Sequence, residues 1–391
     1  MIDLEDLGLD EGAHLPIKRA LAAAPVGGAI EVRGRAPTLA IDLPAWCRAH
    51  GHPVTLSRSG GELRAVITRG PGRWGGAEAA GGADPDGVVE RPPGRWGLAA
   101  RGATVEAGGA DLGFALADKR VVWADEAPRL YAQAAAAQWD PATAIPWAAP
   151  RAHPPEVEAA VVQLMTYLIE NETAALIVPV RFLGQLHPHF REVMQLLAVQ
   201  VADEARHIEV FTRRARLAGD RLGLSTTGGQ ASLATLLAEP DFAIASFLLS
   251  VLGEGTFLSL LAFLRDHAPD DATRELARLA GQDEARHVAF GLAHLARHLG
   301  EEPALRGRLA AAVERRHQAL AHTAGLSEEV FDALVLLAAG GWAPAAIRRG
   351  HAAVIELARD MDAGRRQRLR RLGFSEGEAE TLAALHTRSF M

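Results

Sequence analysis

Apolar residues recur every three or four positions through most of the second half of the chain. This spacing is the repeat of an α-helix that buries one face. Four long stretches in succession predict an antiparallel four-helix bundle, and shorter stretches after them predict helices that pack on it or form a dimer face. The bundle helices are predicted to open at Pro154-Pro155 and to cover about 191–217, 242–267 and 271–299, with later helices at 305–322, 328–339, 344–361 and 375–386.

The first 70 residues show short alternating stretches between two helical ones. Apolar and polar residues alternate at Ala29–Arg33 and at Leu63–Ile67, as in half-buried strands. Helical patterns cover Ile17–Ala24 and a stretch from Asp42, the predicted N-cap, with Pro44 in its first turn. These patterns predict a small two-layer α/β domain at residues 1–70.

Residues 71–125 are a Gly-, Pro- and Trp-rich linker by composition, in which Pro-Gly-Arg-Trp-Gly occurs twice. Alternation within 98–123 predicts short strands ending at Val121-Val122-Trp123, with an irregular loop as the alternative. The pattern turns helical from residue 126. The predicted fold class is therefore α+β, with an all-α domain at 126–391 after the α/β domain and the linker.

One pentapeptide, Asp-Glu-Ala-Arg-His, occurs in two of the predicted bundle helices, at residues 203–207 and 283–287. Each copy holds a Glu and a His three residues apart, which is nearly one helical turn. A single acid in an apolar stretch precedes each copy: Glu172 lies 32 residues before Glu204, and Glu254 lies 30 residues before Glu284. Glu172 falls on the apolar stripe of its helix, whereas Glu170 falls on the other side.

The order Glu, Glu-x-x-His, Glu, Glu-x-x-His on four helices is the ligand set of a dinuclear metal site. The predicted ligands are Glu172, Glu204, His207, Glu254, Glu284 and His287. Four carboxylates in an apolar core would repel one another and lose their hydration, and two divalent cations compensate their charge. Ligands of this kind, without thiolate, favour two Fe ions, with Mn or a mixed Mn/Fe pair left open and O2 as co-substrate.

With these motifs, the chain resembles the ferritin-like diiron carboxylate superfamily over about residues 155–300. The pentapeptides also resemble the Asp-Glu-x-Arg-His motif of the bacterial multicomponent monooxygenase hydroxylases. That resemblance implies that each Asp accepts a hydrogen bond from the ligand His of the other copy, and that the Arg residues hold the Asp residues. The alternative is surface ion pairing. The residues concerned are Asp203, Arg206, Asp283 and Arg286.

Residues 1–70 resemble the small bacterial sulfur-carrier (sulfurtransferase) domain. The matching positions are Gly27, Pro37, Asp42, Leu43, Pro44, Cys47 and His52. The sulfur-bearing Cys-Pro-x-Pro of that family is replaced here by Asp10-Glu11-Gly12-Ala13. With a short gap, Pro16 aligns with the second Pro and Ala13 replaces the Cys. In both alignments the thiol is missing, so sulfur transfer by the family mechanism is not expected. Cys47 lies among apolar residues and is predicted to be a buried, inert thiol.

The composition and the terminal and apolar segments of the chain argue against several classes of protein. The net charge of −7 argues against a general nucleic-acid surface, and a single cysteine excludes an intrachain disulfide. The N-terminus has neither the basic start nor the apolar core of a signal peptide. The apolar run Phe242–Leu264 contains Glu254, which predicts a buried helix and not a membrane span. A cytoplasmic protein without nucleic-acid or membrane partners is expected, with a homodimer and an electron-donor protein left open.

The predicted function is that of an O2-dependent diiron oxygenase, a monooxygenase acting on a small organic substrate at a Glu4His2 site. The alternative is a ferritin- or rubrerythrin-like iron-oxidising or peroxidase protein, and a third hypothesis is a catalytically idle partner protein. The long segments outside the bundle and the lack of a Cys quartet disfavour the second. The complete ligand set disfavours the third.

The glycines beside Glu254 and two histidines in a turn allow two further structural predictions. Gly253 and Gly255 flank Glu254, and each costs about 1 kcal/mol relative to Ala within a helix. They predict either a locally widened helix or close packing of another helix. His187 and His189 lie in a Pro-containing turn and are predicted to be exposed.

Overall fold

The computed structural model describes residues 1–71, 77–217, 219–320 and 328–386 of the 391-residue chain. The chain forms two compact units, Met1–Gly87 with Arg95–Leu112 and Val88–Gly94 with Gly113–Met391. Their boundaries fall inside the segment 71–125. Trp74, in the first Pro-Gly-Arg-Trp-Gly, lies outside the described residues.

The first unit contains a four-stranded sheet and two helices. In chain order its elements are β1 (Ile2–Asp3), α1 (His14–Ala23), β2 (Ala29–Gly34), α2 (Leu39–Ala49), β3 (Val54–Ser59) and β4 (Glu62–Thr68). The strand order is β1-β2-β4-β3, with β1 parallel to β2 and the other neighbours antiparallel. Alternate residues of β4 are buried, and they share one core with both helices, as expected for a two-layer α/β unit.

Helix α2 begins at Leu39, so the prediction that Asp42 is its N-cap was wrong. Thr38 occupies the N-cap position, and Asp42 lies in the first turn. The physical reason is packing: Leu39 and Leu43 lie four residues apart and are both completely buried, so the apolar face begins one turn earlier.

Short strands do occur in the segment predicted as a linker, but not at its end. The strands β5 (Glu78–Ala79) and β6 (Thr104–Val105) pair antiparallel in the first unit. Val121 and Val122 lie in a short helix, α3 (Lys119–Val122), so the strand predicted there was wrong. Asp118 caps this helix by accepting a hydrogen bond from the Arg120 amide at 3.0 Å.

The second unit is helical. After α3 it contains α4 (Ala127–Ala136), α5 (Pro155–Leu183), α6 (Arg191–Ala215), α7 (Thr227–Leu237), α8 (Phe242–Ser246), a π-helical segment (Phe247–Glu254), α9 (Gly255–Asp266), α10 (Asp271–Glu301), α11 (Leu305–Leu320), α12 (Glu328–Ala339), α13 (Pro344–Arg371) and α14 (Glu376–His386). The four bundle helices are α5, α6, the helix from Phe242 to Asp266, and α10. They share one apolar core. This is consistent with a ferritin-like bundle after a small α/β part.

Other helices cover the bundle on both sides. Helix α4 packs against α6 and α10, which carry the two pentapeptides. Helix α12 packs against α5, and α13 packs against α9. The C-terminal helices therefore pack on the bundle, which was one of the two predicted arrangements.

Two bundle helices are long and apolar enough to cross a membrane by length and composition alone, Pro155–Leu183 and Phe242–Asp266. Among the residues that the structure describes, a third candidate exists only if Glu328–Ala339 and Pro344–Arg371, bent by 118°, are counted together. In the protein, 61% and 78% of the most apolar windows of the two helices are buried. Their apolar side chains contact other bundle helices, and each helix carries one of the predicted ligands.

The turn that contains His187 and His189 is buried, so the prediction of exposure was wrong. The Val89 amide donates to Nε2 of His189 at 3.0 Å, and the His189 amide donates to Nδ1 of His187 at 3.1 Å. A segment nearly 100 residues earlier in the chain thus covers this turn, which local sequence cannot reveal.

Candidate metal centre

Six side chains from the four bundle helices converge in the core, and each is at most 3% exposed. Their donor atoms form two groups of four, within which all atoms lie within 4.8 Å of one another. The groups are Glu172, Glu204, His207 and Glu284, and Glu204, Glu254, Glu284 and His287. Glu204 and Glu284 belong to both groups and can therefore bridge two ions. Glu170, the rejected neighbour of Glu172, is only partly buried and lies outside both groups.

Each imidazole presents its Nδ1 atom to the carboxylates. For His207, Nδ1 lies 3.2 Å from a Glu204 oxygen and 3.3 Å from a Glu284 oxygen. For His287, Nδ1 lies 3.1 Å and 3.4 Å from oxygens of the same two carboxylates. Donors bound at about 2.1 Å to one ion lie roughly 3 to 3.5 Å apart. The spacing is therefore that of atoms able to share a cation.

Eight donor atoms of these side chains have no hydrogen-bond partner among the described residues. They are Oε1 of Glu172, both carboxylate oxygens of Glu204 and of Glu284, Oε2 of Glu254, and Nδ1 of His207 and of His287. Buried polar atoms are normally paired, because an unpaired one costs about 1 to 3 kcal/mol. The structure thus contains a buried carboxylate and histidine cluster able to bind a dimetal site.

The electrostatic environment of the carboxylates in the core also favours the binding of cations. Burial raises the pKa of Glu172, and the carboxylates of Glu284 and Glu204 raise it further. Burial likewise raises the pKa of Glu254, with Glu284 adding to the effect. Burial opposes the ionisation of Glu204 too, but the two ligand imidazoles outweigh it and hold the pKa of that carboxyl below its usual range. Glu172 and Glu254 are therefore not readily ionised unless positive charge is added.

Behind each imidazole lies an Asp from the other copy of the pentapeptide. Nε2 of His207 lies 3.2 Å from Oδ2 of Asp283, and Nε2 of His287 lies 3.3 Å from Oδ2 of Asp203. An Nε2–H that donates to these carboxylates leaves the Nδ1 lone pair free to face a metal ion. Burial opposes the ionisation of Asp283, but His207 outweighs it and keeps the pKa of Asp283 below its usual range.

The two Arg residues of the pentapeptides hold the Asp residues. Arg206 donates to Asp203 and, at 3.1 Å, to Oδ2 of Asp283. Arg286 donates to Asp283 on its own helix. Both Asp side chains are almost fully buried and Arg206 is 9% exposed, so these ion pairs lie inside the protein and not on its surface.

Sequence reasoning missed two residues that follow α4. The Gln138 side-chain amide donates to Oδ1 of Asp203 at 2.9 Å, and the Trp139 indole N–H donates to Oδ2 of Asp283 at 2.8 Å. Arg206 donates to Oε1 of Gln138 at 2.6 Å and lies over the Trp139 ring, 4.6 Å from its centre. No periodic pattern marks these residues, because each acts through one contact between distant parts of the chain.

The helix that carries Glu254 is widened, as one of the two predictions from Gly253 and Gly255 required. The segment Phe247–Glu254 is π-helical and ends at the ligand. At Gly255 a Cβ would lie 2.6 Å from Cζ of Arg368 in α13, so this glycine leaves room for an Arg side chain. The widened helix is therefore the interpretation that the structure confirms.

A narrow cavity lies beside Glu254. Its polar lining includes Gln200, which donates to Oε1 of Glu254 at 3.1 Å, and also Ser246 and Ser250. The cavity has room for roughly one water molecule. The apolar walls come from Val178, Phe182, Leu197, Phe242, Leu249 and Phe290.

No protein-family model and no curated protein sequence matches the chain. Among solved structures, the chain is similar to variants of an R2-like ligand-binding oxidase reconstituted with an Mn/Fe cofactor. An aerobically reconstituted variant is 18% identical with a TM-score of 0.46, over 64% of this chain and 93% of that chain. An anaerobically reconstituted variant is 18% identical with a TM-score of 0.47, over 64% and 92% of the two chains. A third variant, aerobically reconstituted, is 17% identical with a TM-score of 0.47, over 68% and 97%.

Proposed function

We propose that the protein is an O2-dependent dimetal oxygenase that acts on a small organic substrate. The observation that supports this most directly is the set of eight unpartnered donor atoms in the bundle core. Two Fe ions, or a pair that includes Mn, suit this set because carboxylate and imidazole donors favour these metals. The ligands would be Glu172, Glu204, His207, Glu254, Glu284 and His287. When bound, the metal pair supplies the redox chemistry that reduces O2.

Residues around the site prepare this chemistry by fixing the positions of the metal ligands. Asp203 and Asp283 hold the rear nitrogens of the two imidazoles, which sets their tautomer and orientation. Gln200 donates a hydrogen bond to the Glu254 carboxylate and so helps to determine which way it faces. Because all of these groups are buried, bulk water does not compete for their hydrogen bonds.

The cavity beside Glu254 is the proposed place where substrate meets the metal pair. Of its polar groups, Gln200 is hydrogen-bonded to the ligand Glu254 and Ser246 is hydrogen-bonded to His294, and most of its wall is apolar. A mainly apolar molecule that is small or flat fits such walls once side chains adjust. Monooxygenation of a substrate consumes one O2, two electrons and two protons and releases one water, so an electron-donor protein is part of the proposal.

An iron-oxidising protein of the ferritin or rubrerythrin kind would use similar ligands and bind the same two ions without O2, so the amount of iron taken up in air separates an iron store from the proposed oxygenase. Titration with Fe(II) should saturate at two ions per chain, with uptake of about one O2 per pair on exposure to air. Glu172→Gln should lose one or both ions, whereas Glu170→Gln, two residues away on the same helix, should bind as the wild type does. Uptake of many irons per chain, or of none, would refute the oxygenase.

A further inference from the structure

The π-helical segment leaves one backbone carbonyl without its usual donor. The amide of Gly255 donates to carbonyl oxygens that include that of Ser250, five residues earlier, which is π-helical spacing. In an α-helix the same amide would donate to Val251, four residues earlier. The widening therefore removes the ordinary partner of the Val251 oxygen, three residues before Glu254.

A side chain from outside the bundle replaces that donor. Arg368, on α13, donates its Nε–H to the Val251 oxygen at 2.7 Å. The Thr256 hydroxyl also donates to the Leu252 oxygen at 2.6 Å, and this oxygen accepts from the Gly255 amide as well. Arg368 thus satisfies the carbonyl whose α-helical donor the widening removes, which makes the π-helical conformation less costly.

Two glycines make room for the Arg368 side chain. A Cβ on Gly255 would lie 2.6 Å from Cζ and 2.9 Å from Cδ of Arg368, closer than real contacts allow. A Cβ on Gly364, one turn before Arg368 on α13, would lie 3.1 Å from its Nη1. Each glycine costs its helix about 1 kcal/mol relative to Ala, and the approach of this guanidinium accounts for both.

Arg368 differs from the neighbouring arginines of α13 in its interactions with carboxylates. Arg366 pairs with Asp362, and Arg370 pairs with Glu376 at 2.7 Å on the exposed side of the helix. Arg368 is partly buried, and in the part of the chain that the structure describes no ion pair joins it to a carboxylate. Burial, with Arg365 adding to it, lowers the pKa of Arg368 to about 10, so the guanidinium stays charged at neutral pH.

We propose that Arg368 is a positioning residue of the metal centre, which holds the segment 247–254 in its widened form and thereby directs the Glu254 carboxylate into the core. The proposal rests on the proposed dimetal function. If the segment became α-helical, the loss of the extra residue in that turn would rotate Glu254 by roughly 100° relative to the residues before it. Its carboxylate would then leave the group that contains Glu204 and Glu284.

Loss of the widened conformation should affect the binding of one of the two metal ions and not the other. Glu254 belongs only to the donor group of His287, whereas the group of His207 contains Glu172 instead. Loss of Arg368 should therefore weaken the ion held with His287 and leave the ion held with His207 in place. A general loss of stability would weaken both ions alike, so the two explanations give different results.

The test compares Arg368→Met with Arg370→Met, which removes an exposed ion pair on the same helix. We expect Arg368→Met to bind one ion as tightly as the wild type and the other about 10-fold or more weakly, whereas Arg370→Met binds both normally. Mössbauer spectra of protein loaded with ⁵⁷Fe should show selective loss of one iron environment. Amide hydrogen exchange at 247–255 should become faster in the metal-free variant. Arg368→Lys, whose ammonium group can donate to the Val251 oxygen, should restore part of the affinity.

A second variant keeps the proposal testable if Arg368→Met does not fold. Gly255→Ala retains the guanidinium but displaces it, and should reproduce the selective loss. Two normally bound ions in both variants, with only a lower melting temperature, would overturn the proposal and leave the dimetal function intact. A wild-type protein that binds no Fe or Mn would instead refute the proposed function itself.

Discussion

The indole N–H of Trp139 and the ring of His207 meet at one carboxylate oxygen, Oδ2 of Asp283. The indole nitrogen lies 2.8 Å from this oxygen, although Trp139 precedes Asp283 by 144 residues, and Nε2 of His207 lies 3.2 Å from it. The Trp139 and His207 rings are nearly parallel, with an interplanar angle of 18°. A residue outside the bundle thus helps to fix the orientation of a ligand imidazole within it.

Trp139→Phe should weaken the ion held with His207 by about 10-fold. The substitution keeps an aromatic ring beneath Arg206 but removes a hydrogen bond to an ionised carboxylate, which contributes about 1.5 to 3 kcal/mol. Competition with a chelator measures the affinity. Trp147→Phe is the matched control, because its indole donates only to the Pro141 carbonyl at 2.8 Å. Equal affinities for the two variants would show that Trp139 is a packing residue.

Asp203→Ala and Asp283→Ala should each keep the fold while lowering metal affinity by roughly 10- to 100-fold. Each removes the acceptor behind one ligand imidazole, so that the ring can rotate or change its tautomer. Helical content and melting temperature of the metal-free variants report on the fold, and elemental analysis reports on metal. Normal metal content in both variants would mean that these acids serve only the ion pairs with Arg206 and Arg286.

His207→Ala should lose most of the metal from a wild type that contains two Fe or Mn ions per chain. Its Nδ1 atom faces Glu172, Glu204 and Glu284 together, so no other side chain can replace it. His351→Ala, an exposed histidine of α13, is the control and should retain both ions. A wild type that carries a single zinc ion would contradict the assignment.

The convergence of the six ligand side chains could be predicted because it depends on local sequence patterns that occur in both halves of the bundle. A spacing of three residues sets one face of a helix, and the repeated pentapeptide sets two such helices. The periodic spacing of apolar residues then predicted the bundle helices. Helix α12 begins and ends at the predicted residues. The choice of Glu172 over Glu170 followed from the same periodicity.

The supporting contacts could not be predicted, because each joins one residue to one distant residue. Trp139, Gln138 and Arg368 leave no repeat in the sequence, and Gly255 alone could not name Arg368 as its neighbour. His187 and His189 were wrongly placed at the surface for the same reason, since the segment that covers them lies far away in the chain. Long-range packing, and not propensity, decides all of these positions.

Arg214→Met should destabilise the protein by about 3 to 5 kcal/mol at neutral pH. The fully buried Arg214 guanidinium donates to both oxygens of Glu158 at 2.7 and 2.9 Å and to Asp270 at 2.6 Å. It also donates to the Thr273 hydroxyl at 2.7 Å, and so joins α5, α6 and the start of α10. Removing it takes the buried cation away from two largely buried carboxylates, of which Glu158 keeps its contact with His153. Denaturant unfolding of metal-free protein will measure the loss of stability.

The same cluster predicts a pH dependence. Burial alone would raise the pKa of Glu158 and of Asp270, but hydrogen bonds, chiefly from Arg214 for Glu158 and from the Thr273 amide and Arg214 for Asp270, lower both values. A carboxyl whose folded pKa is lowered stabilises the protein above its unfolded pKa and loses that contribution as pH falls through the folded value. The stability difference between wild type and Arg214→Met should therefore shrink as pH falls below about 4.5. A difference that stays constant down to pH 3 would contradict this explanation.

Cys47→Ser should leave metal content unchanged and the first unit folded. Cys47 is completely buried inside α2, and burial raises the pKa of its thiol to about 11, so almost no thiolate exists at neutral pH. In the predicted resemblance to the sulfur-carrier family, Asp10 stands in place of the persulfide cysteine, and it lies in the turn Leu9–Glu11. We therefore expect iodoacetamide to modify Cys47 slowly in the folded protein and rapidly in urea. A persulfide trapped on Cys47 in the folded protein, or loss of metal from Cys47→Ser, would instead point to a sulfur-handling role for this unit.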